Sequence, residues 1–140
     1  MYAVCVGIEK QIAVTIIIHN FPVAIYTNLP VYEECYQLLL QLVTFSRQMQ
    51  RDFRYTIGEK LQQTVVEIIV LIFKANKVEQ KRQHIADARE KLVEAQVMMR
   101  VLNDIRQFSD KQYVQLVERT TSVSKQLASW EHSSVGREKR

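Results

Sequence analysis

Val65-Val66-Glu67-Ile68-Ile69-Val70-Leu71-Ile72-Phe73 is a run in which Glu67 alone is polar. Its β-branched side chains favour a strand, and periodicity alone does not separate a short apolar strand from a buried helix. The flanks decide. Upstream, Thr56-Ile57-Gly58-Glu59 has the spacing of a capping box, in which a hydroxyl and a carboxylate each satisfy a free backbone N–H at a helix start. Leu61 and Gln62-Gln63 continue an amphipathic pattern, and no turn signal comes before Asn76. The segment is therefore expected to be a helix of about 20 residues, about 30 Å long, opening at Thr56.

Leu61, Val65, Ile68, Ile72 and Ala75 fall on one face of this helix, while Val66, Ile69, Val70 and Phe73 cover much of the other. A helix that is apolar on nearly all sides must be buried on nearly all sides. Each helix of an isolated four-helix bundle, however, keeps one face in water. Val66, Ile69, Val70 and Phe73 are thus the expected interface with another copy of the chain or with a protein partner.

The remaining elements follow outward from this helix. Pro30 suits a first helical turn, and Tyr32, Tyr36, Leu39, Leu42, Val43 and Ser46 recur behind it at helical spacing, with Cys35 and Leu38 widening the stripe. That helix is expected to end between Arg47 and Gln50. After a short link from Asn76 to about Lys81, Ile85, Ala88, Leu92, Ala95, Met99 and Leu102 form a clean stripe flanked by Val97, Val101, Ile105 and Phe108. Ser109-Asp110-Lys111-Gln112 has a second capping-box spacing, and Tyr113, Leu116, Val117, Thr120, Val123, Leu127 and Trp130 line the inner face of the helix it opens. The expected fold is all-α, an antiparallel up-down four-helix bundle over residues 29–130. Residues 131–140, polar and charged, are expected to be a disordered tail.

Residues 1–28 are a different kind of sequence, β-prone around Val14-Thr15-Ile16-Ile17-Ile18 and charged only at Glu9 and Lys10. They lack the basic start and small-residue cleavage site of a secretory signal, and His19, Asn20 and Pro22 end the apolar run before it reaches membrane-spanning length. Three readings stay open for them: a peripheral appendage, a frayed tail, or translated upstream sequence that is not native.

Composition narrows the function. A chain of 140 residues, 47% hydrophobic and 24% charged, is of single-domain size and is neither a disordered nor a membrane protein by its totals. Cys5 and Cys35 are too few for a disulfide framework, so a cytoplasmic location is the simpler reading. His84 has Lys81 three residues before it, so the Glu-x-x-His pair of a ferritin-like metal site is missing, and no metal or cofactor is expected. Gly7, Gly58 and Gly136 stand too far apart for a phosphate loop, and no set of titratable groups converges, so neither an enzyme nor a small-molecule substrate is expected. Glu67 must be paired if buried, and Arg100 is the expected partner.

Nineteen Lys and Arg against fifteen Asp and Glu give a net charge of +4, which favours polyanionic partners such as RNA or DNA. In an antiparallel bundle one end would carry Arg47, Arg51, Arg54, Arg106 and Lys111, and the other Lys74, Lys77, Lys81 and Arg82. These nine are the candidate nucleic-acid-binding residues. Tyr55, beside Arg54, suits stacking on a base as well as packing. The alternative for all of them is a solvated helix end with no such role.

Leu29-Pro30-Val31-Tyr32, Tyr36, Leu38-Leu39-Leu40, Tyr55-Thr56-Ile57-Gly58-Glu59, Glu67-Ile68-Ile69, Ile72-Phe73-Lys74-Ala75-Asn76, Ala88-Arg89-Glu90 and Ser122-Val123-Ser124-Lys125-Gln126-Leu127 with Trp130 form an ordered set. That set resembles the Avd-like four-helix-bundle family, which is related to proteins encoded by 23S rRNA intervening sequences. The resemblance implies a cytoplasmic, non-enzymatic accessory protein of a diversity-generating retroelement. It also implies a homo-oligomeric ring, a pentamer, that presents basic surface to a reverse transcriptase and to template RNA. The alternative is a protein-only oligomeric scaffold of the intervening-sequence type.

Overall fold

The computed structural model describes residues 29–138, and among them all regular structure is helical. The readings made for residues 1–28 lie outside the described residues, as do Lys139 and Arg140. Helix α1 spans Pro30–Ser46 with Pro30 in its first turn. One helical turn at Arg51–Phe53 leads through a π-turn at Arg54–Gly58 into α2, Glu59–Lys77. Helix α3 is Arg82–Asp104 and α4 is Asp110–Glu138. In cross-section the helices form a square: α1 touches α2 and α4, and α3 touches the same two, while the diagonal pairs make at most marginal contact. The short connections make sequential neighbours antiparallel. The bundle expected from the apolar periodicity is therefore the fold observed.

The core is the inner line of each helix. Leu61, Val65, Ile68, Ile72 and Ala75 of α2 meet Ile85, Ala88, Leu92, Ala95, Met99 and Leu102 of α3, with Leu116, Val123 and Leu127 of α4, all fully or almost fully buried. On α1 the buried line is Val31, Cys35, Leu38, Leu42 and Ser46. Cys35, Leu38, Leu42 and Ser46 are buried as expected, but the line is shifted toward Val31, because Tyr36 and Val43 point outward. Val117, expected inside α4, is exposed as well.

The start of the second helix differs from its sequence reading. The Thr56 hydroxyl donates 2.6 Å to the carbonyl of Asp52, one helical turn back, so Thr56 lies inside a helix and caps nothing. The helix begins at Arg51 instead, and the backbone N–H of Gln50 is satisfied by Gln107 Oε1 at 2.8 Å. Gly58 explains the motif: a Cβ there would come within 3.0 Å of both Met49 Sδ and the Phe53 carbonyl oxygen. The glycine serves close packing of the loop against the π-turn. The second capping box is formed as read: Gln112 Oε1 accepts from the Ser109 N–H at 3.0 Å, and the Gln112 N–H donates to Ser109 Oγ at 3.2 Å.

The expected disordered tail is also corrected, since α4 continues to Glu138. Glu131 is held by an ion pair with Arg89 of α3, Ser133 and Ser134 hydroxyls bond back to the carbonyls of Trp130 and Glu131, and Ser134 is buried. These contacts anchor a polar segment that composition alone reads as unstructured.

Candidate functional site

The end of the bundle that carries the α1–α2 and α3–α4 connections is braced across the gap. Besides the Gln50–Gln107 bond, Gln112 Nε2 donates 3.2 Å to Gln48 Oε1, and the rings of Phe45 and Phe108 meet edge to face with centroids 6.3 Å apart. This brings Arg47, Arg51, Arg54, Arg106 and Lys111 to one end of the molecule, as the antiparallel reading requires. Their availability differs. Arg54 is turned inward: its guanidinium donates to the carbonyls of Ser46, Arg47 and Met49 at 2.9, 2.6 and 3.0 Å, closing the C-terminal end of α1. It serves as a helix cap, which leaves fewer of its N–H groups for a phosphate than its exposed neighbours have.

Arg47, Arg51 and Lys111 are exposed and their side chains have no partner among the described residues. Arg106 pairs with Asp110 only at 3.9 Å, both side chains in open solvent, where such a pair contributes little. Its backbone is unusual. Arg106 has φ 61°, the left-handed region, and the Gln107 and Arg106 N–H groups bond to the carbonyls of Leu102 and Asn103. That is a Schellman ending, whose left-handed residue is normally glycine or asparagine because a Cβ is disfavoured there. A long cation occupies the position instead, at the exposed tip of the braced end. Tyr55, on the Arg54–Gly58 π-turn, is 62% exposed, so its ring is available for stacking and is no packing anchor.

At the opposite end Lys77 lies over the Phe73 ring at 4.4 Å and Lys81 over the Trp130 ring at 5.8 Å. Arg82 is exposed, and Lys74 lines a groove between α2 and α3. Two of the four cations expected there are thus seated on aromatic faces.

The apolar surface is more organised than the α2 sequence suggests. On α2, Glu67 and Leu71 face α3, for Glu67 Oε2 lies 2.9 Å from Lys91 Nζ of α3. Glu67 is half-exposed and bonded to Lys91, whereas Arg100 reaches only Asp104 on its own helix, so the expected Glu67–Arg100 pair is not formed. Ile69 and Phe73 consequently fall on the α1 flank, with Val66 and Val70 on the outer crest of α2. Of these four, Val66 and Val70 are exposed, and Ile69 and Phe73 are half-buried. On α1, Glu34 and Gln41 face α4 through Arg119, at 3.0 and 3.1 Å, so Tyr36, Leu40 and Val43 fall on the other flank, toward α2. One apolar face, of Tyr36, Leu40 and Val43 with Ile69 and Phe73, therefore runs along the α1/α2 side, while Val66 and Val70 on the crest border the groove between α2 and α3.

A second apolar face was not singled out from the sequence. Val93, Val97 and Val101 repeat every four residues along α3, Val93 and Val97 each 58% exposed, and Val114 and Val117 of α4 are exposed beside them. Val93, Val97 and Val117 share a depression of about 310 Å³ between the two helices. The i, i+4 recurrence was visible in the sequence, but Val97 and Val101 read there as flanks of the core stripe. In the square arrangement the α1/α2 and α3/α4 faces lie on opposite sides of the bundle, and the α1/α4 side between them is polar, with Gln41, Gln115, Glu118, Arg119 and Ser122.

Among the described residues no group of three or more His, Cys, Asp or Glu side chains converges as a metal site, and no helix is long and apolar enough to cross a membrane. Cys35 is buried, and burial, with the nearby Glu34 charge, pushes its thiol up to about 12. No protein-family model matches this chain, and no curated protein matches it significantly.

Proposed function

We propose that this chain is a non-enzymatic adaptor that assembles with itself and joins nucleic acid to a protein partner. The observation that carries the reading is the pair of unlike apolar faces on opposite sides of one bundle. Exposed valine, leucine and tyrosine side chains at these spacings form continuous surface, which a monomer in water would not keep without use. Because the two faces differ in residues and lie opposite one another, contact between them is head-to-tail, and head-to-tail contacts close into rings when the rotation allows. The Avd-like resemblance of the ordered motifs agrees with this reading, and it suggests a reverse transcriptase as the protein partner, template RNA as the nucleic acid and the cytoplasm as the location.

The nucleic-acid half of the proposal rests on the braced end, where Arg47, Arg51, Arg106 and Lys111 are presented together and Tyr55 is open to stacking. Fluorescence anisotropy with a labelled RNA hairpin tests it. Affinity should fall steeply as salt rises, and Arg47→Glu with Arg51→Glu should weaken binding about tenfold or more. Undetectable binding, or binding indifferent to salt, removes this half. A protein-only scaffold is the second reading, favoured by the inward-turned Arg54 and by Asp52, Asp104 and Asp110 diluting the same end. It predicts an oligomer that does not bind the hairpin.

A further inference from the structure

The side between the two apolar faces on the α2/α3 edge holds a groove of about 700 Å³. Its apolar strip is Val66, Val70 and Leu71 of α2, and its α3 wall is Asp87, Glu90, Lys91 and Glu94. The charges are distributed unevenly along it. Toward the start of α2, Lys91 Nζ bonds to Glu67 at 2.9 Å and Glu94 at 3.1 Å, and Lys60 reaches Glu94 at 3.5 Å. Two cations and two carboxylates are mutually satisfied there: Lys91 is held above its usual range by Glu67 and then Glu94, and Glu94 below its range by Lys91.

Toward the start of α3 the balance fails. Asp87 accepts a hydrogen bond only from the neutral amide of Gln83, at 2.8 Å, and Glu90 is exposed without a partner among the described residues. Lys74 is the lone cation on the opposite wall of that part. On a chain of net charge +4 this groove is a locally acidic exception, so it repels phosphate and selects a cation.

We infer that the α2–α3 groove is a docking site for an amphipathic helix of a protein partner, one that carries its basic residues at a single end. An apolar stripe at i, i+3, i+4 and i+7 would lie on Val66, Val70 and Leu71, as in other helix-in-groove complexes. Lysine or arginine at the end of that stripe would meet Asp87 and Glu90, while the closed Lys60–Glu94–Lys91–Glu67 network offers the other end nothing to pair with. The charge pattern fixes the direction of the helix, and the valines supply the adhesive area. This inference rests on the adaptor reading only in needing a protein partner, and it is independent of nucleic-acid binding.

The test uses a labelled synthetic helix of alanine and leucine, about 14 residues and about 21 Å long, with leucines on one stripe and lysines at one end. Anisotropy should report binding to the full chain that weakens about tenfold in Asp87→Lys with Glu90→Lys. Binding should also weaken as salt rises, and it should vanish in Val70→Asp. A peptide with glutamates in place of the lysines should not bind, and hairpin RNA binding should be unchanged or stronger in the Asp87→Lys, Glu90→Lys protein. Glu90→Lys alone, at an exposed position, guards against misfolding of the double variant and should give an intermediate loss. Equal binding of the glutamate peptide, or unchanged affinity in the lysine variants, overturns the proposal. So does dissociation of the oligomer by Glu90→Lys, which would make the groove a contact between copies of the chain.

Discussion

At the residue scale, three side chains do work that their identity in the sequence does not announce. Arg54 reads as a surface cation but ends α1 by donating to three carbonyls, a role set by a loop whose shape becomes known only on folding. Arg106 holds a left-handed backbone that glycine would hold more easily. Arg106→Gly should therefore stabilise the fold by roughly 0.5–1 kcal/mol in urea unfolding, while weakening hairpin RNA binding. Opposite signs in the two measurements are the signature of a residue kept for its side chain, and loss of stability would contradict it. Cys35 gives a pH prediction. Its thiol titrates near 9.0 when unfolded and near 12 when folded. Below pH 9 both states hold the proton and stability is unaffected. Between these values the unfolded state releases it first, so stability falls by about 1.4 kcal/mol per pH unit. The difference between the wild type and Cys35→Val in unfolding free energy should show that slope above pH 9 and be flat below it.

At the scale of elements, what was legible depended on whether one stripe dominated. Helix α3 alternates three- and four-residue steps of apolar side chains, and every position read as core from Ile85 to Leu102 is buried. Helix α1 carries apolar residues on two faces, so spacing found Cys35, Leu38 and Leu42 but also drew in Tyr36 and Val43, which are exposed, and missed Val31. Hydrophobicity does not distinguish a side chain bound for the core from one bound for an interface, and the same ambiguity hid the Val93-Val97-Val101 stripe. The two capping-box spacings had opposite fates. Ser109 and Gln112 form theirs, whereas Thr56 and Glu59 sit past a helix start that Gln107 of the distant α3–α4 connection satisfies. Local sequence cannot report a cap supplied by another loop. The π-turn built over that start depends on Gly58, and Gly58→Ala should destabilise the protein by about 1–3 kcal/mol in urea unfolding, because a backbone carbonyl faces the added methyl. An unchanged midpoint would show that Met49 and the turn relax freely.

On the scale of the whole molecule, the four sides of the bundle are chemically distinct. Two opposed sides are apolar and unlike, one is a partly acidic groove, and one is polar around Arg119. A bundle that only needed to fold would have no use for such division, since a polar coat on all four sides would keep it soluble. The division supports an assembly unit that keeps one groove and one basic end free for other molecules. The excess of apolar surface is legible in the α2 sequence, but it belongs to two faces that four helices share.

Head-to-tail assembly is open to test by sedimentation equilibrium of two single variants, alone and mixed. Leu40→Lys disables the α1/α2 face and Val97→Lys the α3/α4 face, both at exposed positions. The wild type should be oligomeric at micromolar concentration, each variant alone should be monomeric, and an equimolar mixture should form a one-to-one dimer through the two intact faces. A monomeric wild type, or an oligomer retained by either variant alone, would rule out head-to-tail assembly.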